Sequence, residues 1–437
     1  MEKEGLLTTH YDFINVDING YNKGVYALEE HFDKQLLERR MRREGPILKF
    51  DETSYWTAIK QFDSFDSLTV LPFFQQSQIS LFKKNRTRKS PQLFKQFQEG
   101  QKLLYLFKEG KADVEAIFDI DQLAKFYALM EVVAGWHAMR WHNRRFYYNP
   151  VTQKLEHIVY DILPFLNGEN FKCYMAHKLF SGQTIHENVF DNAILYNKEF
   201  KEKYLYYLAL KTQPAYLDSL FEEMDTEIVR HEKTIKGELS TYRFDRSIYY
   251  RNAQYIRGWI PKLDSVWDEK IAKKEYQDWL KPQHYFERKD ALFLGDLSIN
   301  AYRTKLDSAY LLELENYHLN DVVIHAYRTK DSLKNLVLLN NPLRLNGFGD
   351  IAHEKDLVVD HKPGKVYFTV ANNPNLIVSK KVMAWPKPTG ITTRMELEQN
   401  FEANAAYYHI SGNKLLFSGK VVLDRLVAIP ANYSVYI

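Results

Sequence analysis

The feature that most constrains this chain is a change of hydrophobic period. Up to about residue 290 the apolar residues recur mainly at helical spacing, and beyond it they alternate in short runs. Neither a single helical bundle nor a single β unit accommodates both. Between Asp119 and Gly135 the residues Leu123, Phe126, Tyr127, Met130, Val133 and Ala134 keep the 3.6 spacing of a buried helix, with an acidic N-cap and a glycine stop. Further helices are expected over 198–211, over 214–236, and over 245–259, the last ended by Gly258 and Pro261. Past 290, runs at 322–327, 336–339, 365–370, 376–378 and 415–426 are separated by NNP, KPGK, NNPN and SGNK, the pattern of an all-β, sandwich-like region.

With 437 residues and 45% hydrophobic content, the chain can build two or three domains with cores, which excludes disorder or coiled coil as a description of the whole. The net charge of +3 argues against a surface dedicated to nucleic acid or anionic lipid. Cys173, the single cysteine, closes no intramolecular disulfide and leaves the redox compartment open. MEKEGLLTTH contains no apolar signal core, and the most apolar helix-length stretch, 117–136, is broken by Asp119, Asp121, Lys125 and Glu131, so no transmembrane segment is expected. Aromatic residues make up 15%, a composition that suits carbohydrate or nucleotide contact.

The N-terminal pattern predicts strand, strand, helix, strand. Tyr11 and Phe13 alternate with Ile14, Val16 and Ile18, INGYNKG supplies a turn, and 25–28 resumes an extended run. A helix follows over 31–41 and a strand over 46–50, ending on the acidic Asp51-Glu52. Residues 53–116 are polar, with a helix expected near 91–108. The basic run KKNRTRK at 83–89 reads as a solvated loop because no aromatic residues interleave it for stacking.

Several chemistries lack their defining residues. The His-Glu pairs at His186, His231 and His353 have Phe190, Ile235 and Leu357 four positions on, so none is a zinc-protease helix. Gly347-Phe348-Gly349 is followed by charged residues and a β run, and reads as a turn. No P-loop and no G-x-S-x-G elbow occurs.

One constellation remains: helix 119–135, the loop WHAMRWHN, a hairpin over 144–160 turned by NPVTQK, and then Asp161. Asn143 and Asp161 stand 18 residues apart (161 − 143), nearly all of them taken up by the two strands, which sets an amide beside a carboxylate. Phosphoryl transfer uses such hard oxygen ligands to hold magnesium over a triphosphate, and protein kinases carry a catalytic-loop Asn and a post-hairpin Asp in this order. The alternative is that Asn143 caps the hairpin and Asp161 caps the next segment.

The segments GVYALEEHFDKQLLERRMRREGPILKFDE (24–52) and HNRRFYYNPVTQKLEHIVYD (142–161), with KEKYLYYLALKTQPAYLDSLFEEM further on, resemble the CotH family of atypical, spore-coat-type kinases over roughly residues 10–290. The resemblance implies an α+β architecture. It implies a partial nucleotide-binding lobe with a helical insertion (1–118) and a helical C-lobe with the catalytic-loop hairpin (119–290), and the change of period adds a sandwich-like β-domain (295–437). It also implies ATP and Mg2+ as cofactors, a protein acceptor phosphorylated on Ser or Thr, and a secreted or envelope setting. The family's G-x-Y-x-x-x-E turn falls on Gly24, Tyr26 and Glu30, and its L-x-K strand on Lys49, which assigns Glu30 and Lys49 to the nucleotide. Its His-Asn pair falls on His142 and Asn143, and its metal-binding Asp on Asp161, preceded by Tyr160 where the family has Trp; Asn143 and Asp161 are thus the metal ligands.

Two departures accompany the resemblance. The family's first strands, with a further basic residue and the cover over the phosphates, would precede residue 10. Its catalytic Asp before the His-Asn pair has no counterpart between Asp121 and Asp161, where His137 takes that neighbourhood as the candidate base. A catalytically weak or inactive scaffold is therefore the alternative, and an aromatic-lined carbohydrate-binding protein a third reading from composition alone. Glu30 and Lys49 also read as a plain ion pair between strands, Arg140, Arg144 and Arg145 as solvated or substrate-facing, and His137, His142 and His157 as a transition-metal site.

Overall fold

The computed structural model describes residues 1–61, 73–164, 173–176, 189–273, 299–318, 320–330, 335–348, 351–371, 373–383, 392–399, 401–404, 406–423, 427–430 and 432–437. In chain order the first elements are β1 (Leu7–Thr8), the hairpin β2 (Tyr11–Ile18) and β3 (Tyr21–Glu29), α1 (Lys34–Arg39), β4 (Ile47–Phe50), α2 (Thr53–Gln61), α3 (Phe73–Gln76), β5 (Ile79–Leu81), α4 (Lys84–Lys89), α5 (Pro91–Lys108), α6 (Val114–Ile117) and α7 (Ile120–Val132). Then come β6 (Arg145–Asn149), β7 (Lys154–Val159), α8 (Val189–Leu195), α9 (Lys198–Lys211), α10 (Pro214–Ile235) and α11 (Ser247–Lys273).

A five-stranded sheet of order β1-β7-β6-β4-β5 organises this part. Every residue of β6 is buried, so the strand is covered on both faces. α5 packs on β4, β5 and β6, and its Gly100 permits the approach: a Cβ there would stand 3.2 Å from Leu48 and Tyr148 side-chain atoms. α7 packs against β7, α9 and α11, and Leu48, Phe97, Phe126, Phe146, Tyr204 and Trp267 belong to one continuous core. The sheet joins strands from both expected segments, 1–118 and 119–290, since β4 pairs with β6.

The remaining strands are β8 (Ile299–Lys305), β9 (Tyr310–Asn316), β10 (Val322–Thr329), β11 (Leu336–Leu345), β12 (Glu354–Val359), β13 (Pro363–Val370) and β14 (Asn373–Lys381). They form a four-stranded sheet, β11-β10-β13-β14, and a three-stranded one, β12-β9-β8. The two share a core of Ile299, Leu312, Leu314, Val322, Ile324, Val366 and Phe368. After them come α12 (Arg394–Gln399), β15 (His409–Ser411), β16 (Lys414–Leu416) and β17 (Ser434–Tyr436). This part sits against the first through Asn300 Nδ2 donating to Gln76 O (2.7 Å), Lys102 pairing with Glu396 (2.6 Å), and the Tyr105 and Tyr302 hydroxyls 3.4 Å apart.

Four expectations change. The basic run 83–89 is helical in α4, where Arg86 pairs with Glu44, rather than a loop. α11 runs through Gly258 and Pro261 to Lys273. A proline inside a helix costs about 3 kcal/mol, but Ile256, Leu263 and Trp267 are fully buried on either side of it, and that burial outweighs the cost. Among its described residues the run expected at 415–426 holds only β16, because SGK at 418–420 turns the chain, with Gly419 at φ +72°; residues 424–426 lie outside the described residues. The expected all-β stretch includes the helix α12. The expected domain boundary at 290–295 falls in 274–298, outside the described residues.

Candidate active site

The site is built where α7 ends. Ala134 takes φ +50°, and Gly135 lies so close to the chain after Asp161 that a Cβ on it would stand 2.5 Å from Ile162 Cγ2. Two short 3-10 turns, Trp136–Met139 and Trp141–Asn143, then lead into β6. Between loop and strand Arg144 is fully buried. Its Nη2 pairs with the equally buried Asp191 Oδ1 (2.6 Å) and donates to the Tyr127 hydroxyl (2.8 Å), and its Nε donates to Met139 O (3.0 Å). A charge survives such burial only when paired and hydrogen-bonded, so this network fixes the loop. Of the two expectations for these arginines, solvated or substrate-facing, burial rules out the first for Arg144 and Arg145; Arg140 is half-buried.

That loop brings the expected residues together. His137 Nδ1 lies 3.0 Å from Asp161 Oδ2, Asn143 Nδ2 lies 3.3 Å from the same oxygen, and Asn143 Nδ2 also donates to His137 O at 2.9 Å. Asn143 Nδ2 also stands 3.0 Å from His137 Nδ1, so that ring nitrogen lies between the Asn143 amide and the Asp161 carboxylate. Asn143 Oδ1 turns the other way, toward His142 Nδ1 at 3.1 Å. His142 is buried against Tyr55, 5.1 Å ring to ring, and burial, together with the nearby Arg140, drives its pKa down to about 3; it is neutral and Nδ1 donates. Asp161 itself adopts φ +52°, a left-handed conformation that Asp tolerates better than most residues. Its side chain is 37% exposed, and Oδ1 has no hydrogen-bond donor among the described residues.

Of the nucleotide pair, Lys49 reaches this neighbourhood through β4, where it is the direct register partner of Arg145. Burial, reinforced by the positive charge of Arg145, holds the Lys49 pKa below its ordinary value. Lys49 Nζ lies 3.9 Å from Glu52 Oε1. Glu30 is not its ion-pair partner: Glu30 pairs with Arg39 (2.7 Å) and accepts from His10 N (3.1 Å). The histidine metal site is also overturned. His157 is buried face to face with Phe126 at 4.1 Å, and among the described residues no group of three His, Cys, Asp or Glu side chains is placed to hold a metal ion.

Glu52 is the residue that sequence reasoning missed. It lies within 3.9 Å of Lys49, 3.7 Å of Arg145 and 3.7 Å of His142, and accepts from Trp56 Nε1 at 2.9 Å. Its signal was an acidic residue closing the L-x-K strand and opening a helix. Asp191, which lies 47 residues beyond Arg144, gave no local signal.

A helix, loop, hairpin and carboxylate assembled in this order is the arrangement of a kinase-type protein. Residues 1–264 match the CotH kinase protein family, 264 of the 437 residues, and the chain belongs to that family. The matched span begins and ends earlier than the 10–290 of the sequence resemblance. No curated protein matches the chain. Among the described residues no helix is long and apolar enough to cross a membrane.

Proposed function

We propose that this chain is an ATP- and magnesium-dependent protein kinase that phosphorylates Ser or Thr of a secreted or envelope protein. The observation that carries the reading is the convergence of His137, Asn143 and Asp161 within 3.3 Å of one another. Magnesium fits these residues: it is commonly held by one or two carboxylates together with substrate phosphates and water, and Asp161 offers an uncommitted carboxylate oxygen. When bound, the ion neutralises charge on the phosphates. Asn143 orients Asp161 through its amide hydrogens, and its own oxygen becomes a ligand only if the side chain rotates away from His142.

The acceptor hydroxyl would lie against His137. Its proton passes to His137 Nε2, the hydroxyl oxygen bonds to the γ-phosphorus, and the bond from that phosphorus to the β–γ bridging oxygen breaks, leaving ADP. This requires Nδ1 to carry the ring proton, toward Asp161. A cationic His137 then repels magnesium where a carboxylate base would not, so turnover is slow and falls in acid.

The second reading, a weak or inactive scaffold, is favoured by the lack of any Asp between Asp121 and Asp161 and by the amide nitrogen, rather than the oxygen, that Asn143 turns toward Asp161. Calorimetry separates them. Magnesium-dependent ATP binding is expected for the wild type and lost in Asp161→Asn, and equal binding by both refutes the site. If binding holds but His137→Ala incorporates labelled phosphate into Ser/Thr peptides as fast as the wild type from pH 6 to 8, His137 is not the base. A gain of transfer in His137→Asp marks a degenerate kinase.

A further inference from the structure

The register of the central sheet sets two cations side by side. Lys49 on β4 is the cross-strand partner of Arg145 on β6, so both side chains leave the sheet on one face, an arrangement that like charges disfavour. Both stand over Phe82, at 5.4 and 5.7 Å from the ring centre, and Arg145 also lies 5.2 Å from the centre of Tyr160. Among the described residues Glu52 is the ion-pair partner of both, at 3.9 Å from Lys49 Nζ and 3.7 Å from Arg145 Nη2, beyond hydrogen-bond distance. Two positive charges thus share one loosely held carboxylate.

The guanidinium is aimed. Arg145 is 5% exposed, and its Nη1 is committed to the backbone, donating to His142 O (2.7 Å) and Arg144 O (3.1 Å). Among the described residues its Nε is buried without a hydrogen-bond partner, and Nη2 has only the distant Glu52. The edge left over is the Nε–Nη2 fork, the geometry that takes two oxygens of a carboxylate or phosphate at once. An unsatisfied buried donor is costly, and an anion that accepts from it removes the cost.

We propose that Arg145 binds the phosphoanhydride chain of the nucleotide beside Lys49, the residue the family resemblance already assigns to the nucleotide, with Glu52 as the resident counter-ion that the incoming polyphosphate replaces. The assignment rests on the reading of the Asn143–Asp161 site as nucleotide-binding, but its chemistry needs only a polyphosphate.

The test uses the full chain and inorganic tripolyphosphate without metal, titrated by calorimetry. Wild type is expected to bind it. Arg145→Lys, which keeps the charge and loses the fork, should weaken binding about tenfold or more, and Glu52→Gln, which removes the competing anion, should tighten it by a similar factor. Asp161→Asn should abolish magnesium-dependent ATP binding and leave tripolyphosphate binding in place. If wild type binds tripolyphosphate with these variant effects but never binds ATP with magnesium, the subsite stands and the kinase reading falls. If wild type does not bind tripolyphosphate, or if Glu52→Gln leaves its affinity unchanged, the subsite is overturned. Glu52→Gln can still accept from Trp56 Nε1 and removes no backbone contact, so it serves even if Arg145→Lys does not fold.

Discussion

Breaking the Arg144–Asp191 pair should unfold the 136–143 loop before anything else. Both side chains are fully buried, with Nη2 and Oδ1 2.6 Å apart. At an effective dielectric constant of about 20 their attraction is about 6 kcal/mol, and that attraction mainly offsets the cost of taking two charges out of water. Removing one partner leaves the other charge buried and unpaired, at about 3–5 kcal/mol. Asp191→Leu and Arg144→Met should each lose about that much, whereas the two together should lose far less than the sum, because no charge remains to be compensated. Urea unfolding followed by tryptophan fluorescence gives the four corners of the cycle. Hydrogen exchange of the 136–149 amides shows whether the loop that Arg144 ties to Met139 O opens first in the single variants. Single losses below about 1 kcal/mol, or strictly additive losses, would show that the pair does not anchor the loop.

Further outcomes follow from the same geometry. His142, neutral and buried with its pKa at about 3 against about 6.5 when unfolded, contributes stability that is complete above pH 6.5 and is lost as pH falls toward 3, reaching about 2 kcal/mol by pH 5. Glu131, raised by burial to about 7, slopes the other way between about pH 4.5 and 7, so the term is isolated by subtraction: His142→Gln should lose less stability than wild type between pH 7 and 5, and parallel melting curves would refute it. Gly135→Ala should cost about 1–3 kcal/mol because its Cβ would meet Ile162 Cγ2 at 2.5 Å. Adding Ile162→Ala should restore part of that loss in denaturant midpoints, and no restoration would place the strain elsewhere.

Much of the framework is legible in the sequence where interactions are local. The helix expected near 91–108 is α5 (Pro91–Lys108), the 119–135 helix is α7 capped by Asp119, and the hairpin 144–160 is β6 and β7. Because helix, turn and hairpin lengths are all local, so is the meeting of Asn143 with Asp161. What was not legible depends on neighbours distant in sequence. Arg144 sits in WHNRR, a run that reads as solvated until Asp191 is packed against it. Pro261 reads as a stop until Trp267 and Ile256 are buried around it. Lys49 is a local neighbour of Glu52, but Arg145 and His142 reach it only through the β4–β6 register, which no periodicity announces.

That register also limits how the molecule can move. A hinge between two bodies needs a boundary that few contacts cross, yet Lys49 and the strands that carry Asn143 to Asp161 belong to one hydrogen-bonded ladder. The spacing between the cation and the carboxylate is therefore set when the chain folds and not when a ligand arrives. Clamshell opening would mean unzipping the sheet, so any control over this chemistry has to act on side-chain rotamers, such as those of Glu52 and Asn143, or on the exposed β2–β3 ribbon whose Tyr11 and Glu29 lie within electrostatic reach of Tyr160.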